Sequence, residues 1–200
     1  MMRDYFTFLG TFSSFPQGVK ILQDFKIFAI VNEIISKRDD ISQLIIKNLD
    51  YRNNGSAAMP QPARLIIREA MISGSKKMRY FSSLRMRKLS KDCAFDFHTW
   101  GIELLARQLT DEWEDVAKNS LKILVEASQN EDNLDAFIGV KAPIEVLETS
   151  VDGKFLLLKM LSRQAGFNHL KQLNWIDTNR ARWMTIKNAE YVKQVDTIVR

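Results

Sequence analysis

Apolar side chains recur every three or four residues along most of this chain, which is the spacing of one face of an α-helix. Between residues 17 and 36 this spacing is nearly unbroken and predicts one long amphipathic helix. Five-residue stretches that alternate apolar and polar side chains, as half-buried strands do, do not occur with any strength. The pattern therefore predicts an all-α fold.

Turn signals divide the rest of the chain into shorter helices. Pro60 and Pro62 suit the start of a helix, and the Asn-Asn-Gly sequence before them predicts a loop near 53–62. Gly74 is placed to end the helix that follows, and Asp152-Gly153 predicts a turn. The predicted helices after residue 36 include 40–49, 63–72, 75–91, 99–109, 112–129, 154–165 and a final one over 188–200, besides short helices that begin at Asn133 and Gly166.

The same periodicity predicts which side chains face inward. In the basic helix over 75–91, the 3.6-residue period places Met78, Phe81 and Leu84 on the inner side. In the helix that follows Asp111, the expected buried face begins at Trp113. Tryptophans near helix ends usually serve as packing anchors, and we expect that role here.

A short apolar signature occurs three times. The copies are GVKILQDFKIF from Gly18, NLDAFIGVKAP from Asn133 and GFNHLKQLNWI from Gly166, and in each an apolar side chain stands one, four and seven residues after the first. Their polar positions differ, so the copies share a packing surface rather than a ligand. The spacing of these units predicts an armadillo- or HEAT-like helical-repeat solenoid forming a single domain over 1–200, with an irregular helical bundle as the alternative.

Composition agrees with long helices and short connections. The 200 residues include only 8 Gly and 4 Pro, and 46% of them are hydrophobic. A single cysteine excludes an internal disulfide framework and favours a reducing compartment, which predicts a cytoplasmic protein. The first residues, MMRDYFTFLGTFSSFPQG, are typical of a first helix rather than a signal peptide. No apolar run is long enough to span a membrane.

Charge is distributed unevenly. From Arg64 to Lys91 nine basic residues accompany one acid, whereas residues 111–135 hold eight acids and two lysines. The two segments could pack together, dock onto other molecules, or be solvated faces. The docking interpretation gives a candidate interaction surface for acidic peptides, anionic lipid or RNA: Lys76, Lys77, Arg79, Arg85, Arg87 and Lys88. RNA is the least favoured partner, because only Tyr80 could stack on bases.

We predict no catalytic residue, cofactor or metal site. The two histidines and the cysteine lie in different predicted helices without metal-ligand spacing, and no glycine-rich phosphate loop occurs. Cys93 and His98 could be considered as a nucleophile and its base, but their spacing fits no catalytic motif, and structural roles are favoured. The acidic pair Glu112 and Asp115 falls within one helical turn, which is typical of surface charge.

Several segments resemble the Rictor family, whose members are the defining scaffold subunits of TOR complex 2. The segments are KNLDYRNNG, WGIELLARQLTDE, SLKILVEASQNEDNLDAFIGVKAPIEVL, FLLLKMLSRQAGFNHL and LNWIDTNRARWMTIKNAEYV, in the family's order. The resemblance implies a non-catalytic helical solenoid that holds the TOR kinase with Sin1-like and WD-repeat subunits, so that AGC-family kinases are phosphorylated. It further implies effects on actin and growth, and recruitment of the complex to the plasma membrane.

The chain departs from the family in length and in one connection. Family members are far longer, and the interpretations left open are a fragment of a larger solenoid, a partial gene model and a divergent remnant. The loop SAAMPQP is longer than the family's connection there. No family motif assigns a functional residue to this sequence. A free-standing armadillo-type adaptor that binds through the basic helix is the alternative hypothesis.

Overall fold

The computed structural model describes residues 2–35, 37–52 and 61–185, and every regular element in these ranges is helical. The predicted all-α class is therefore confirmed for this part of the chain. The chain divides into two compact units, the first ending at Leu124 and the second beginning at Val125. The α-helices are α1 Met2–Ser13, α2 Pro16–Asp24, α3 Ile27–Ile35, α4 Asp39–Asn48, α5 Pro62–Ile72, α6 Lys76–Asp92, α7 Gly101–Arg107, α8 Glu114–Ala127, α9 Glu131–Val140, α10 Ile144–Glu148, α11 Val151–Met160, α12 Gln164–Gln172 and α13 Trp175–Thr185.

Two predictions fall largely outside these ranges. Most of the loop expected near 53–62 and the whole of the final helix expected over 188–200 lie outside the described residues. Where the description resumes, α5 begins at Pro62, as the fixed φ of proline favours. The single helical-repeat domain over 1–200 stays a prediction.

In the first unit, each helix packs mainly on helices that are near it in sequence. Helix α4 packs on α1, α3 and α6, and α5 packs on α3 and α6. The centre of this packing is formed by Ile46, Ile67 and Met78, which are completely buried. Packing between sequence neighbours is how helical-repeat proteins bury faces that no single helix could cover, which agrees with a solenoid-like organisation within the unit.

Buried polar side chains join the helices of the first unit through hydrogen bonds. The buried side-chain amide of Asn119 donates a hydrogen bond of 2.9 Å to the Oγ of Ser83. Ser120 donates to the Oε1 of Gln108 at 2.7 Å, and Gln108 in turn donates to the carbonyl of Met71. Because these buried polar groups are paired, they fix the register of the helices without the cost of an unsatisfied donor.

The second unit is held together by α12, which packs on α9, α11 and α13, while α10 packs on α11. Leu156, Leu157 and Leu170 are completely buried in it. The indole of Trp175, at the start of α13, donates a hydrogen bond of 2.8 Å to Glu148, so this tryptophan anchors helix ends as predicted.

The three copies of the apolar signature share a backbone conformation. Eight residues after the first residue of each copy stands Lys26, Lys141 or Asn174, with φ of 56°, 53° and 56°. These are the non-glycine residues with positive φ in the described part of the chain. Left-handed residues commonly end helices, and each here follows a short helix. The repeat seen in the sequence is therefore a repeat of structure.

The first position of each copy lies against a backbone carbonyl six residues earlier. A Cβ on Gly18 would stand 2.1 Å from the oxygen of Phe12, and one on Gly166 would stand 2.1 Å from the oxygen of Met160. The middle copy has Asn133 there, and its side-chain amide donates a hydrogen bond of 3.1 Å to the carbonyl of Ala127. Glycine thus permits the close approach, and asparagine satisfies the same carbonyl.

The apolar positions of the signature differ in burial. The side chains four residues after the start, Leu22, Phe137 and Leu170, are all buried. Those seven residues after the start were predicted to be core, but Phe25 is 72% and Leu173 is 53% exposed. The prediction was wrong there because the helix ends at this point, and the left-handed residue that follows turns the chain away from the helical face.

Two further predictions about local structure were wrong. The long helix over 17–36 is broken at Phe25 and Lys26, since the left-handed Lys26 cannot continue a right-handed helix. Asp152-Gly153 is not a turn but lies in the first turn of α11, whose cap Ser150 accepts a hydrogen bond from the Gly153 amide. The glycine is needed because the carbonyl of Leu147 approaches within 2.0 Å of the position that a Cβ would take.

Candidate interaction surface

Helix α6 carries the candidate basic surface. Ser75 caps its first turn by accepting a hydrogen bond from the Met78 amide, and the Ser75 hydroxyl donates to Asp39 at 2.8 Å. The buried side of the helix is formed by Met78, Ser82, Met86 and Leu89. Leu84 was predicted to point inward, but it is 40% exposed, since the helix buries the side that continues to Met86 and Leu89.

The first turn of α6 forms ion pairs with the segment that leads into the first turn of α8. Arg79 lies 3.3 Å from the carboxylate of Asp111 and 2.5 Å from that of Glu112. Lys76 lies 3.1 Å from Asp115. The hydrogen bond from Lys76 lowers the pKa of Asp115 below its usual range. Packing of the basic segment on part of the acidic one, one of the alternatives left open by the sequence, occurs here.

Trp113 completes this contact from the acidic side. The ammonium of Lys76 lies 4.7 Å from the centre of its ring, which is within the range of cation–π attraction. Trp113 was expected to begin a buried face, but 41% of it is exposed, because it precedes α8 and lies against a lysine rather than in the core.

In the middle of α6, Arg85 contacts a backbone carbonyl and an aromatic ring rather than a carboxylate. Arg85 donates a hydrogen bond of 3.2 Å to the carbonyl of Lys47, and its guanidinium lies 6.0 Å from the ring centre of Tyr51. Arg87 is half-buried, with its carbonyl accepting a hydrogen bond from Ser90.

Two lysines of the candidate surface face solvent. Lys88 lies 4.0 Å from Asp92 on the same helix, and their side chains are 65% and 45% exposed. Lys77 is exposed, and no carboxylate among the described residues stands within ion-pair distance of it. Lys91, which the candidate set omitted, is exposed as well. The signal that could have found Lys91 is its place at the end of the same basic run, three residues after Lys88 and so on the same side of the helix.

An aromatic cluster of Tyr51, Phe97 and Trp100 contacts the arginines Arg64 and Arg85 of the basic segment. The rings of Tyr51 and Trp100 are stacked with their centres 6.5 Å apart, and Phe97 meets Trp100 edge-on at 5.4 Å. The guanidinium of Arg64 lies 4.8 Å from the Trp100 ring centre and 2.6 Å from the carboxylate of Asp96. Trp100 is thus a packing anchor, as predicted.

Cys93 and His98, the candidate nucleophile and base, have the surroundings of structural residues rather than of a catalytic pair. Cys93 is buried, and burial raises the pKa of its thiol to about 11. The Nδ1 atom of His98 is buried without a hydrogen-bond partner in the described residues. A thiol held in its protonated form is a poor nucleophile. Within the described ranges, no group of three or more His, Cys, Asp or Glu side chains could hold a metal ion.

A cavity of about 560 Å³ opens in the first unit, and Tyr51 of the aromatic cluster lines part of it. Lys47, Arg52 and Arg85 line it together with Thr11 and Asp92. Among its charged side chains, Arg52 and Asp50 are paired with each other by hydrogen bonds of 2.6–3.2 Å. Among the helices of the described segments, none has the length and apolar character needed to cross a membrane.

Two family models match the chain in tandem. Residues 1–90 match the middle domain of Rapamycin-insensitive companion of mTOR, and residues 96–200 match the Rapamycin-insensitive companion of mTOR RasGEF_N domain. The chain is 36% identical over 202 residues to protein pianissimo A of Dictyostelium discoideum, an alignment that covers 100% of this chain and 17% of that protein.

Relatives from an animal and a yeast show the same relationship. Rapamycin-insensitive companion of mTOR from Homo sapiens is 30% identical over 98% of this chain and 11% of its own length. Target of rapamycin complex 2 subunit ste20 from Schizosaccharomyces pombe is 29% identical over 94% of this chain and 14% of its own length. The chain therefore spans less than a fifth of the length of these relatives.

Proposed function

Because the chain belongs to the Rictor family, we propose that it is a non-catalytic scaffold segment of TOR complex 2. The observation that carries this proposal is the tandem match to the two family models over almost the whole chain, together with relatives that are named as subunits of Target of rapamycin complex 2. The segment would help hold the TOR kinase with the Sin1-like and WD-repeat subunits, and so support phosphorylation of AGC-family kinases and control of actin and growth.

The way the chain uses its reactive groups supports a scaffold role. The Cys93 thiol is buried with a raised pKa, and two of the basic residues of α6, Lys76 and Arg79, are engaged by carboxylates of the same unit. Charged and aromatic side chains make contacts between helices instead. A rigid array of helices with diffuse contact surfaces is what holding several subunits in one complex requires.

The proposal is tested by purification from native lysate. The protein, tagged at its own locus, should recover the TOR kinase and the Sin1-like subunit together. A variant with Ile67→Asp, which buries a charge at a completely buried position, should lose both because the first unit no longer folds. Recovery of neither subunit with the unaltered protein would contradict the proposal.

We place this segment in the cytoplasm, and at the plasma membrane only when the complex is recruited there. The expectation is that a fluorescent fusion follows the Sin1-like subunit. Loss of that subunit should leave the fusion uniformly cytoplasmic, whereas membrane localisation that persists without it would show that the chain has its own membrane contact.

A further inference from the structure

Helix α6 has a second face that its own unit does not cover. Lys77, Tyr80, Leu84, Lys88 and Lys91 follow one another at intervals of three or four residues, which places them on one side of the helix. All five are exposed, with Tyr80 and Leu84 at 38% and 40%. We call this set the outer stripe. It has an apolar middle and a lysine at or near each end.

The neighbouring face of the same helix shows what such a set of side chains binds. There Lys76 and Arg79 hold Asp111, Glu112 and Asp115, with Trp113 against the Lys76 ammonium. The ligand is thus an acidic segment of this chain that carries an aromatic side chain between its carboxylates. Tyr80 follows Lys76 by one helical turn, so the outer stripe begins beside this contact.

The lysines of the outer stripe lack such a ligand within the described residues. Lys77 and Lys91 have no carboxylate within ion-pair distance there, and Lys88 has only Asp92 of its own helix at 4.0 Å. An opposite charge brought to this stripe would therefore find cations that are not already committed. The distance from the first lysine to the last is about 21 Å along the helix, which suits a partner helix of roughly four turns.

We propose that the outer stripe docks an acidic segment of a partner protein, with an apolar or aromatic side chain resting on Tyr80 and Leu84. Carboxylates on either side of that side chain would meet Lys77 at one end and Lys88 and Lys91 at the other. The inference goes beyond the proposed function, because it assigns a surface and the chemistry of its partner and does not depend on which complex contains the chain.

A protein partner fits this surface better than a membrane does. A helix that enters a lipid interface buries a wide apolar face, but the apolar face of α6 is already buried through Met78 and Met86. The outer stripe offers only two apolar side chains between its lysines. Such a narrow stripe matches one anchor side chain on a peptide.

The probe for the test is a fluorescently labelled peptide with the sequence of residues 110–117, TDEWEDVA, which copies the acidic segment held by the neighbouring face. Its binding to the full 200-residue chain is measured by fluorescence anisotropy at low and at moderate salt. We expect saturable binding that weakens as salt rises. The variant K77E/K88E/K91E should bind at least about tenfold more weakly and lose the salt dependence.

A second variant separates the apolar contact from the charges. Y80A/L84A should also weaken binding but keep the salt dependence, since its lysines are intact. The matched control K20E/K122E/K171E makes the same change of net charge at exposed positions elsewhere and should bind within about twofold of the unaltered chain. Circular dichroism melting checks that all three variants fold.

The results that would overturn the proposal are distinct. Absence of peptide binding by the unaltered chain would contradict it, and so would equal binding by K77E/K88E/K91E, which would place the peptide on Lys76 and Arg79 instead. A parallel experiment measures binding of the chain to vesicles of equal parts phosphatidylserine and phosphatidylcholine. Stripe-dependent binding to them without peptide binding would assign the surface to a membrane. None of these outcomes bears on co-purification with the TOR kinase.

Discussion

Arg64 and Asp96 form an ion pair with 2.6 Å between nitrogen and oxygen, and only 14% and 15% of their side chains are exposed. Arg64 lies in the segment that matches the middle-domain model, whereas Asp96 is the first residue matched by the RasGEF_N model. Both belong to the first compact unit, which continues to Leu124. The end of the first family segment and the beginning of the second therefore pack within one unit, and the border between the two family models is not a border of packing there.

Removing the Arg64 side chain should destabilise the first unit strongly. Arg64→Leu leaves the Asp96 carboxylate without its partner in a largely buried place and removes the contact with Trp100, at a cost of about 2–4 kcal/mol. Urea unfolding followed by circular dichroism measures this. The control is Arg107→Ala, which breaks an exposed pair with Glu103 and should cost less than about 1 kcal/mol. Equal costs would contradict the importance of the buried pair.

The glycine at the start of the third signature should not tolerate a methyl group. Gly166→Ala brings a Cβ within 2.1 Å of the Met160 carbonyl, so the helices must separate, at a cost of about 1–3 kcal/mol. Gly139→Ala is the matched control, because that helical glycine has open space around it and alanine should stabilise the unit by about 0.5–1 kcal/mol. Thermal melting distinguishes the two, and opposite signs are expected.

A left-handed lysine is a place where glycine should improve stability. Lys141 has φ of 53°, and Lys141→Gly should stabilise the second unit by about 0.5–1 kcal/mol, since glycine has no Cβ to strain in that region. The same substitution at Lys154, inside α11, should destabilise by a similar amount. A loss of stability at both positions, measured by urea unfolding, would argue against a strained backbone at Lys141.

The ion pair of Arg163 with Asp135 should lower the pKa measured for the Asp135 carboxyl. The guanidinium donates hydrogen bonds to this carboxylate and holds its pKa below the usual range. Since the folded pKa is lowered, the pair stabilises the second unit above the unfolded pKa of about 3.9, and the effect is lost as pH falls through the lowered folded value. Carboxyl NMR titration should show the Asp135 pKa rising in Arg163→Gln.

The same variant should leave a second carboxyl unchanged. The pKa of Asp115 is lowered by Lys76 in the other unit, so Arg163→Gln should not move it. A shift of both carboxyls would mean that the substitution changes the fold rather than one ion pair.

The Cys93 thiol should be slow to react in the folded protein. Burial raises its pKa to about 11, so very little thiolate exists near pH 8, and the sulfur is screened from solvent. Reaction with Ellman's reagent should accelerate at least about a hundredfold in urea, and Arg64→Leu should accelerate it in buffer by destabilising the same unit. Fast reaction of the folded protein would show that the site is open.

Much of the local structure follows from the sequence alone. Pro62 starts α5 and Ser75 caps α6 because proline fixes φ and a serine hydroxyl accepts from the first free amides. The three signatures correspond to three short helices that end in a left-handed residue, so their alignment identified equivalent structures. Helical periodicity and cap chemistry are local, and both can therefore be predicted from neighbouring residues.

Only the tertiary structure decided which side of each helix is buried and which charged side chains form ion pairs. Leu84 is exposed and Met86 is buried because α4, α5 and α7 pack against α6 and leave its other side uncovered. Arg79 is held by Asp111, while Lys77, two residues earlier, remains exposed. The periodicity gives an apolar stripe but not the helix that covers it, and ion pairing depends on distances between atoms that the linear order does not contain.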